Sequence, residues 1–178
     1  MRRCLPGSDA SCPLCGKPLN AKFLPRCGCY LLTHDIMVAR MAHRRIRKFN
    51  TKHTYPEQNL DNDLAQAVAT QGGKIVWLRG QCAQNLDDAV SIDSHDPVQQ
   101  THKVMQNMRQ LIEEAGGKME HLVKIVVYIT DIRHREAVYR TMGEYIKGVH
   151  PVSTGLVVQA LARPEWLVEI DGTAVIPD

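Results

Sequence analysis

Residues 114–132 read EAGGKMEHLVKIVVYITDI, and the middle of this stretch decides the fold. From His121 to Thr130 the run is dense in β-branched residues, with Val123, Ile125, Val127 and Ile129 at alternate positions. That is the period of a strand with one face in a core. Just upstream, Gly116-Gly117 supplies a left-handed stop for a preceding helix. Just downstream, Asp131 can cap a following one. A strand enclosed between two helices points to a mixed α+β domain.

The preceding helix starts at Asp96-Pro97, an N-cap acceptor followed by a proline at the first helical position. Val98, Thr101, Met105, Met108, Ile112 and Ala115 recur at steps of three and four, and Val104 and Leu111 widen the stripe. The methionines are core residues on this reading. The second helix is expected over residues 133–147, with Val138, Met142, Tyr145 and Ile146 inward and Gly148 at its end. A first strand is expected over residues 44–49. LAQAVAT (64–70) and KIVWLRGQ (74–81) are two more, and Gln71-Gly72-Gly73 between them predicts a hairpin. STGLVVQAL (153–161) and WLVEIDGTAVI (166–176) close the chain. The predicted order is β-β-β-α-β-α-β-β, a sheet with two helices covering one face.

Composition divides the chain in two. Its 178 residues are 44% apolar, enough for one domain with a real core. Residues 1–48 hold 10 Lys/Arg against Asp9 and Asp35, whereas the remainder holds 12 basic and 17 acidic residues. The acidic body argues against a broad nucleic-acid surface. Five of the six cysteines, Cys4, Cys12, Cys15, Cys27 and Cys29, lie near the start. The body is therefore no disulfide scaffold, which fits a reducing compartment. With neither a secretory h-region nor a run of roughly 20 apolar residues, the expectation is a soluble, cytoplasmic protein.

Residues 1–40 are read as a basic, cysteine-containing extension, with two readings open. One is a disordered leader or a start assigned too far upstream, Met41 being the first residue. The other is a zinc site built on Cys12-Pro-Leu-Cys15. The Cys27-x-Cys29 pair has a poorer spacing for a metal, and the leader reading is preferred. The body, residues 41–178, carries no glycine-rich phosphate loop, no metal-type histidine pair and no GxSxG elbow. Its histidines are scattered without ligand spacing. Cys82, after Gly80-Gln81, reads as a small apolar filler or a reactive thiol.

From Leu64 onward the chain resembles the Rid family of reactive-intermediate deaminases, the YjgF type. The matching segments are LAQAV, RGQ, the DPVQQT opening of the first helix, EAGGKMEHLVKIVVYITDI, HPVSTGLVV and VEIDGTAV. The resemblance implies a chorismate-mutase-like fold over residues 41–178, a homotrimer, and small-molecule pockets between subunits. It also implies cofactor-free hydrolysis of the enamines and imines that dehydratases release from amino acids. No metal is expected.

A 2-imino acid offers a carboxylate, which a guanidinium clamps in two places, and a polarised C=N carbon open to an oriented water. In the family the clamp is an arginine in a Pro-x-Arg-Ser opening; here that position is Ser153, in Pro151-Val152-Ser153-Thr154. The family's tyrosine in YSQAV is Leu64, and the serine before its pocket glycine is Arg79, beside Gly80. Arg79 is therefore a candidate replacement cation, the alternative being that it points to solvent or pairs with Asp171. Glu169 aligns with the family's pocket glutamate and is the candidate to orient water. Gly80 would let a ligand approach the backbone, with Gln81, Ser153 and Thr154 as hydrogen-bonding groups. Two outcomes are open: a hydrolytic deaminase, or a catalytically silent trimeric metabolite-binding module.

Overall fold

In the computed structural model, which describes residues 43–178, the central strand forms as β4 (Leu122–Ile129). Val123, Ile125, Val127 and Ile129 are all buried on it. The chain divides into two units, Met1–Met41 and Ala42–Asp178. The leader and the cysteines Cys4, Cys12, Cys15, Cys27 and Cys29 lie outside the described residues.

The other strands are β1 (His43–Asn50), β2 (Asp63–Thr70), β3 (Lys74–Gln81), β5 (Val152–Val157) and β6 (Val168–Ile176). The helices are a single turn, α1 (Thr51–Thr54), then α2 (Pro97–Glu114) and α3 (Arg135–Tyr145). Leaving aside α1 and short 3-10 turns, the order is the expected β-β-β-α-β-α-β-β. A four-stranded mixed sheet runs β3-β6-β4-β5, with β5 parallel to β4, and β1-β2 forms an antiparallel ribbon. The ribbon meets the start of β5, where the Ala65 amide donates to the Pro151 carbonyl.

The expected hairpin between β2 and β3 does not form. β2 pairs along its whole length with β1, from His43 opposite Thr70 to Asn50 opposite Asp63, while β3 pairs with β6. Gly72 and Gly73 both take positive φ, as anticipated, but the turn they make packs on the end of β6. A Cβ on Gly73 would stand 2.6 Å from the Ile176 carbonyl oxygen. The glycines thus hand the chain from the ribbon to the sheet.

Asp96 caps α2 by accepting from the Val98 amide, and Gly116 takes the left-handed turn at its end. Thr101, Val104, Met105, Met108 and Ile112 are buried, and each large apolar member contributes about 1.5–3 kcal/mol relative to exposure. Two polar residues share this face. Gln100 donates to the Ser94 and Glu165 carbonyls and accepts from the Leu167 amide, and Asn107 donates to the Gln84 carbonyl. These bonds tie the loops after β3 and before β6 to the helix. Asp131 accepts from the Arg133 amide and so caps a 3-10 turn, Ile132–His134, which leads into α3.

The helices lie over one face of the sheet. On the other, register sets Val126 beside Asp171 and Thr154, Tyr128 beside Glu169 and Leu156, and Lys124 and Trp77 beside Thr173. This face stays exposed: Trp77 is 77% and Leu156 46% accessible.

Candidate functional site

Between Leu78 and Gln81 the pairing of β3 with β6 slips, so that Arg79 and Gly80 together oppose Asp171. Such a bulge bends a strand and re-aims its side chains. Into the bend comes Glu169 from β6: a Cβ on Gly80 would lie 1.9 Å from its Oε1. Its other oxygen, Oε2, accepts from the Cys82 thiol at 3.4 Å. Cys82 is 2% exposed, and burial, reinforced by the neighbouring Glu169 charge, pushes its thiol up to about 12. It is therefore a neutral donor at physiological pH, a role its sequence context does not disclose.

Arg79 is exposed, and its Nε reaches only its neighbour, the Gly80 carbonyl, at 3.4 Å. Among the described residues it forms no ion pair with Asp171, which instead accepts from the Tyr128 hydroxyl at 3.1 Å. Gln81 is buried and turns back to donate to the Arg79 carbonyl. Arg79, Gly80, Gln81 and Glu169 thus gather at one edge of the four-stranded sheet.

Ser153 and Thr154 belong to the opposite edge, separated from β3 by two strands, or roughly 14 Å at usual strand spacing. Adjacent strand residues point to opposite faces, and these two do. Thr154 stands beside Val126 on the exposed face, while Ser153, beside fully buried Ile125, points to the helices. Within one chain Arg79 is out of reach of Ser153. Leu64, where the resemblance places a tyrosine, lies in the core.

Two residues beyond Ser153, at Gly155, β5 borders a feature not anticipated from the sequence. A cavity of about 60 Å³ is lined by Val127, Ile129, Arg135, Tyr139, Gly155 and Val157, with Ile132 and Leu156 at its margin. The Arg135 guanidinium stacks 4.7 Å from the Tyr139 ring centre, and one of its nitrogens donates to Gln58 Oε1 at 3.2 Å. The Tyr139 hydroxyl crosses bare Gly155, where a Cβ would stand 1.9 Å from it. Ser153 Oγ is buried without a well-aligned hydrogen bond. It still lies near enough to Tyr139 to oppose slightly the upward push that burial gives the phenol pKa, after the larger opposing effect of Arg135. The spacing of Arg135 and Tyr139, four residues on a helix, permits such stacking. That it occurs beside Ser153 is tertiary information.

Among the described residues no group of three His, Cys, Asp or Glu side chains is placed to hold a metal ion. None of the helices described is long and apolar enough to cross a membrane.

Comparison with known proteins adds a lineage to this geometry. A model of the family described as Endoribonuclease L-PSP matches residues 59–176. Protein DfrA of Myxococcus xanthus is 33% identical over 112 residues, spanning 62% of this chain and 83% of that protein. The crystal structure of YyfB from Yersinia pestis, of the conserved Rid protein family and of unknown function, superposes with a TM-score of 0.63. It is 26% identical and spans 76% of this chain and 100% of that one. YyfA of the same family and organism gives a TM-score of 0.54 at 29% identity, over 63% of this chain and 86% of that one.

Proposed function

The chain belongs to the Endoribonuclease L-PSP family, the Rid/YjgF group, and from that premise we propose that it hydrolyses small, carboxylate-bearing imines or enamines. The observation that carries this reading is the Glu169 carboxylate held over the bare backbone of Gly80, with Arg79 alongside. A carboxylate fixed by a bulge and a thiol donor is pre-positioned to hold a water.

The chemistry is balanced without a cofactor. Glu169 takes a proton from water as the oxygen bonds to the C=N carbon and the π pair moves to nitrogen. It returns the proton to nitrogen to give the carbinolamine, then carries the hydroxyl proton to nitrogen as the C=O bond forms and the C–N bond breaks, and ammonia and a 2-oxo acid leave. Gly80 makes the room that the Glu169 carboxylate takes, Arg79 adds positive charge, and Gln81, Ser153 and Thr154 contribute hydrogen bonds. Since Ser153 and Arg79 are at opposite edges of the sheet, the pocket is completed between protomers. A homotrimer joined through the exposed sheet face would bring the edges together, and exposed Trp77, Ile75 and Leu156 suit such burial.

Residues 41–178 carry 16 basic and 17 acidic residues, which leaves no surplus charge to attract a polyanion. A second reading, a metabolite-binding module without turnover, is favoured by Ser153 standing where the family's clamp would be. The test is an amino-acid oxidase reaction that releases 2-imino acid in the presence of the protein. Faster imine loss, abolished by Glu169→Gln, supports hydrolysis. Ligand-dependent thermal stabilisation without acceleration selects the silent module.

A further inference from the structure

We propose that Arg135 is the guanidinium that clamps the ligand's carboxylate, acting from the first turn of α3 on the cavity beside Ser153. This rests on the small-carboxylate reading above and assigns the cation that reading requires.

Three observations converge on Arg135. Its side chain is half-buried, and among the described residues no carboxylate pairs with it, so its charge is uncompensated at the mouth of a cavity. The other exposed cations of α3 and the turn before it are engaged: Arg140 pairs with Glu136 and Arg133 with Asp131. Second, the guanidinium is fixed from below by the Tyr139 ring and from the side by Gln58, which leaves its remaining nitrogens to a ligand. A pre-organised planar donor is what bidentate carboxylate recognition requires. Third, the cavity walls supplied by Val127, Ile129 and Val157 are aliphatic, so the Arg135 guanidinium is the charged group on the lining. A short aliphatic acid matches this: carboxylate on Arg135, carbon chain against the apolar wall.

The arrangement depends on one small residue. Gly155 lets Tyr139 lie across β5. A cation absent from β5 is thereby replaced by one reaching the same place from α3. The subsite also joins the Glu169 face. Leu156, at the cavity margin, stands in one row with Tyr128 and Glu169, and β5 is the outer strand of the four-stranded sheet. A ligand lying over that edge touches both faces.

The experiment is calorimetric titration of the full-length protein with pyruvate and, separately, with uncharged methyl pyruvate. Wild type is expected to bind the acid and not the ester. Arg135→Met should weaken pyruvate at least about tenfold, as loss of charged hydrogen bonds implies. Arg135→Lys should recover part of the loss, Arg79→Met should weaken binding less than Arg135→Met, and Arg140→Met should leave it unchanged. Ser153→Arg added to Arg135→Met should restore binding, which no folding defect explains. Wild-type affinity in Arg135→Met, or equal behaviour of acid and ester in wild type, overturns the proposal. Imine hydrolysis measured on the same samples separates the two claims. A clamp without turnover removes the enzyme and keeps Arg135, whereas turnover unaffected by Arg135→Met does the reverse.

Discussion

The carboxylate of Glu169 occupies the volume that a side chain on Gly80 would need, with Oε1 1.9 Å from the position of a Cβ. One residue's reach therefore depends on another's lack of a side chain. Gly80→Ala should fold, because the far end of a glutamate can swing away, at a stability cost of about 1 kcal/mol or less. Imine hydrolysis, by contrast, should fall nearly as far as in Glu169→Gln. The double variant should be little worse than either alone, since both remove the same group. Turnover retained in Gly80→Ala would show that the position of Glu169 over the bulge is unimportant.

Cys82 provides a pH signature. Its thiol is pushed from an ordinary value of 9.0 to about 12 in the folded state, first by burial and then by Glu169. The unfolded chain therefore loses this proton at lower pH than the folded one. Its contribution to stability is complete below about pH 9 and is lost as pH rises towards 12. Urea titrations at pH 8, 9.5 and 10.5 should show a decline in wild type that is shallower in Cys82→Ala. Identical slopes in the two proteins would contradict the assignment.

At the other edge, Gly155→Ala sets a methyl against the hydroxyl of Tyr139, which is only 6% exposed. The ring cannot swing freely, so the expected cost is about 1–3 kcal/mol, typical of overpacking. Adding Tyr139→Phe removes the atom in closest conflict and should return part of that stability in chemical denaturation. A larger loss in the double variant than in Gly155→Ala would contradict this contact.

Gln100 is the polar tie between α2 and two loops. Gln100→Leu leaves the Leu167 amide and the Ser94 and Glu165 carbonyls without their partner and should cost about 2–4 kcal/mol. Faster amide exchange is expected at Leu167, with α3 unaffected. Uniform acceleration across the domain would instead mean global loosening.

Much of this architecture was legible in residue order. The alternation from Val123 to Ile129, the Asp96-Pro97 cap and the Gly116-Gly117 stop act through bonds and dihedrals a few residues apart, so they survive without tertiary context. The buried face of α2 was read correctly for its apolar members, Val104, Met105, Met108 and Ile112. Gln100 and Asn107 were missed because their partners lie on distant loops, and polarity alone reads as exposure.

The sequence by itself determined the elements, their order and the residue types available to the proposed pocket. Only the tertiary structure decided their pairing: β2 with β1 and not β3, Glu169 over Gly80, Cys82 as a thiol donor, and Ser153 on the helix-covered face. It also stacked Arg135 on Tyr139 at a cavity bordered by β5, the strand that carries Ser153. The physical reason is one of range. Periodicity and capping are local, whereas strand partner, bulge and side-chain neighbour are chosen by how well distant surfaces pack and satisfy each other's polar groups.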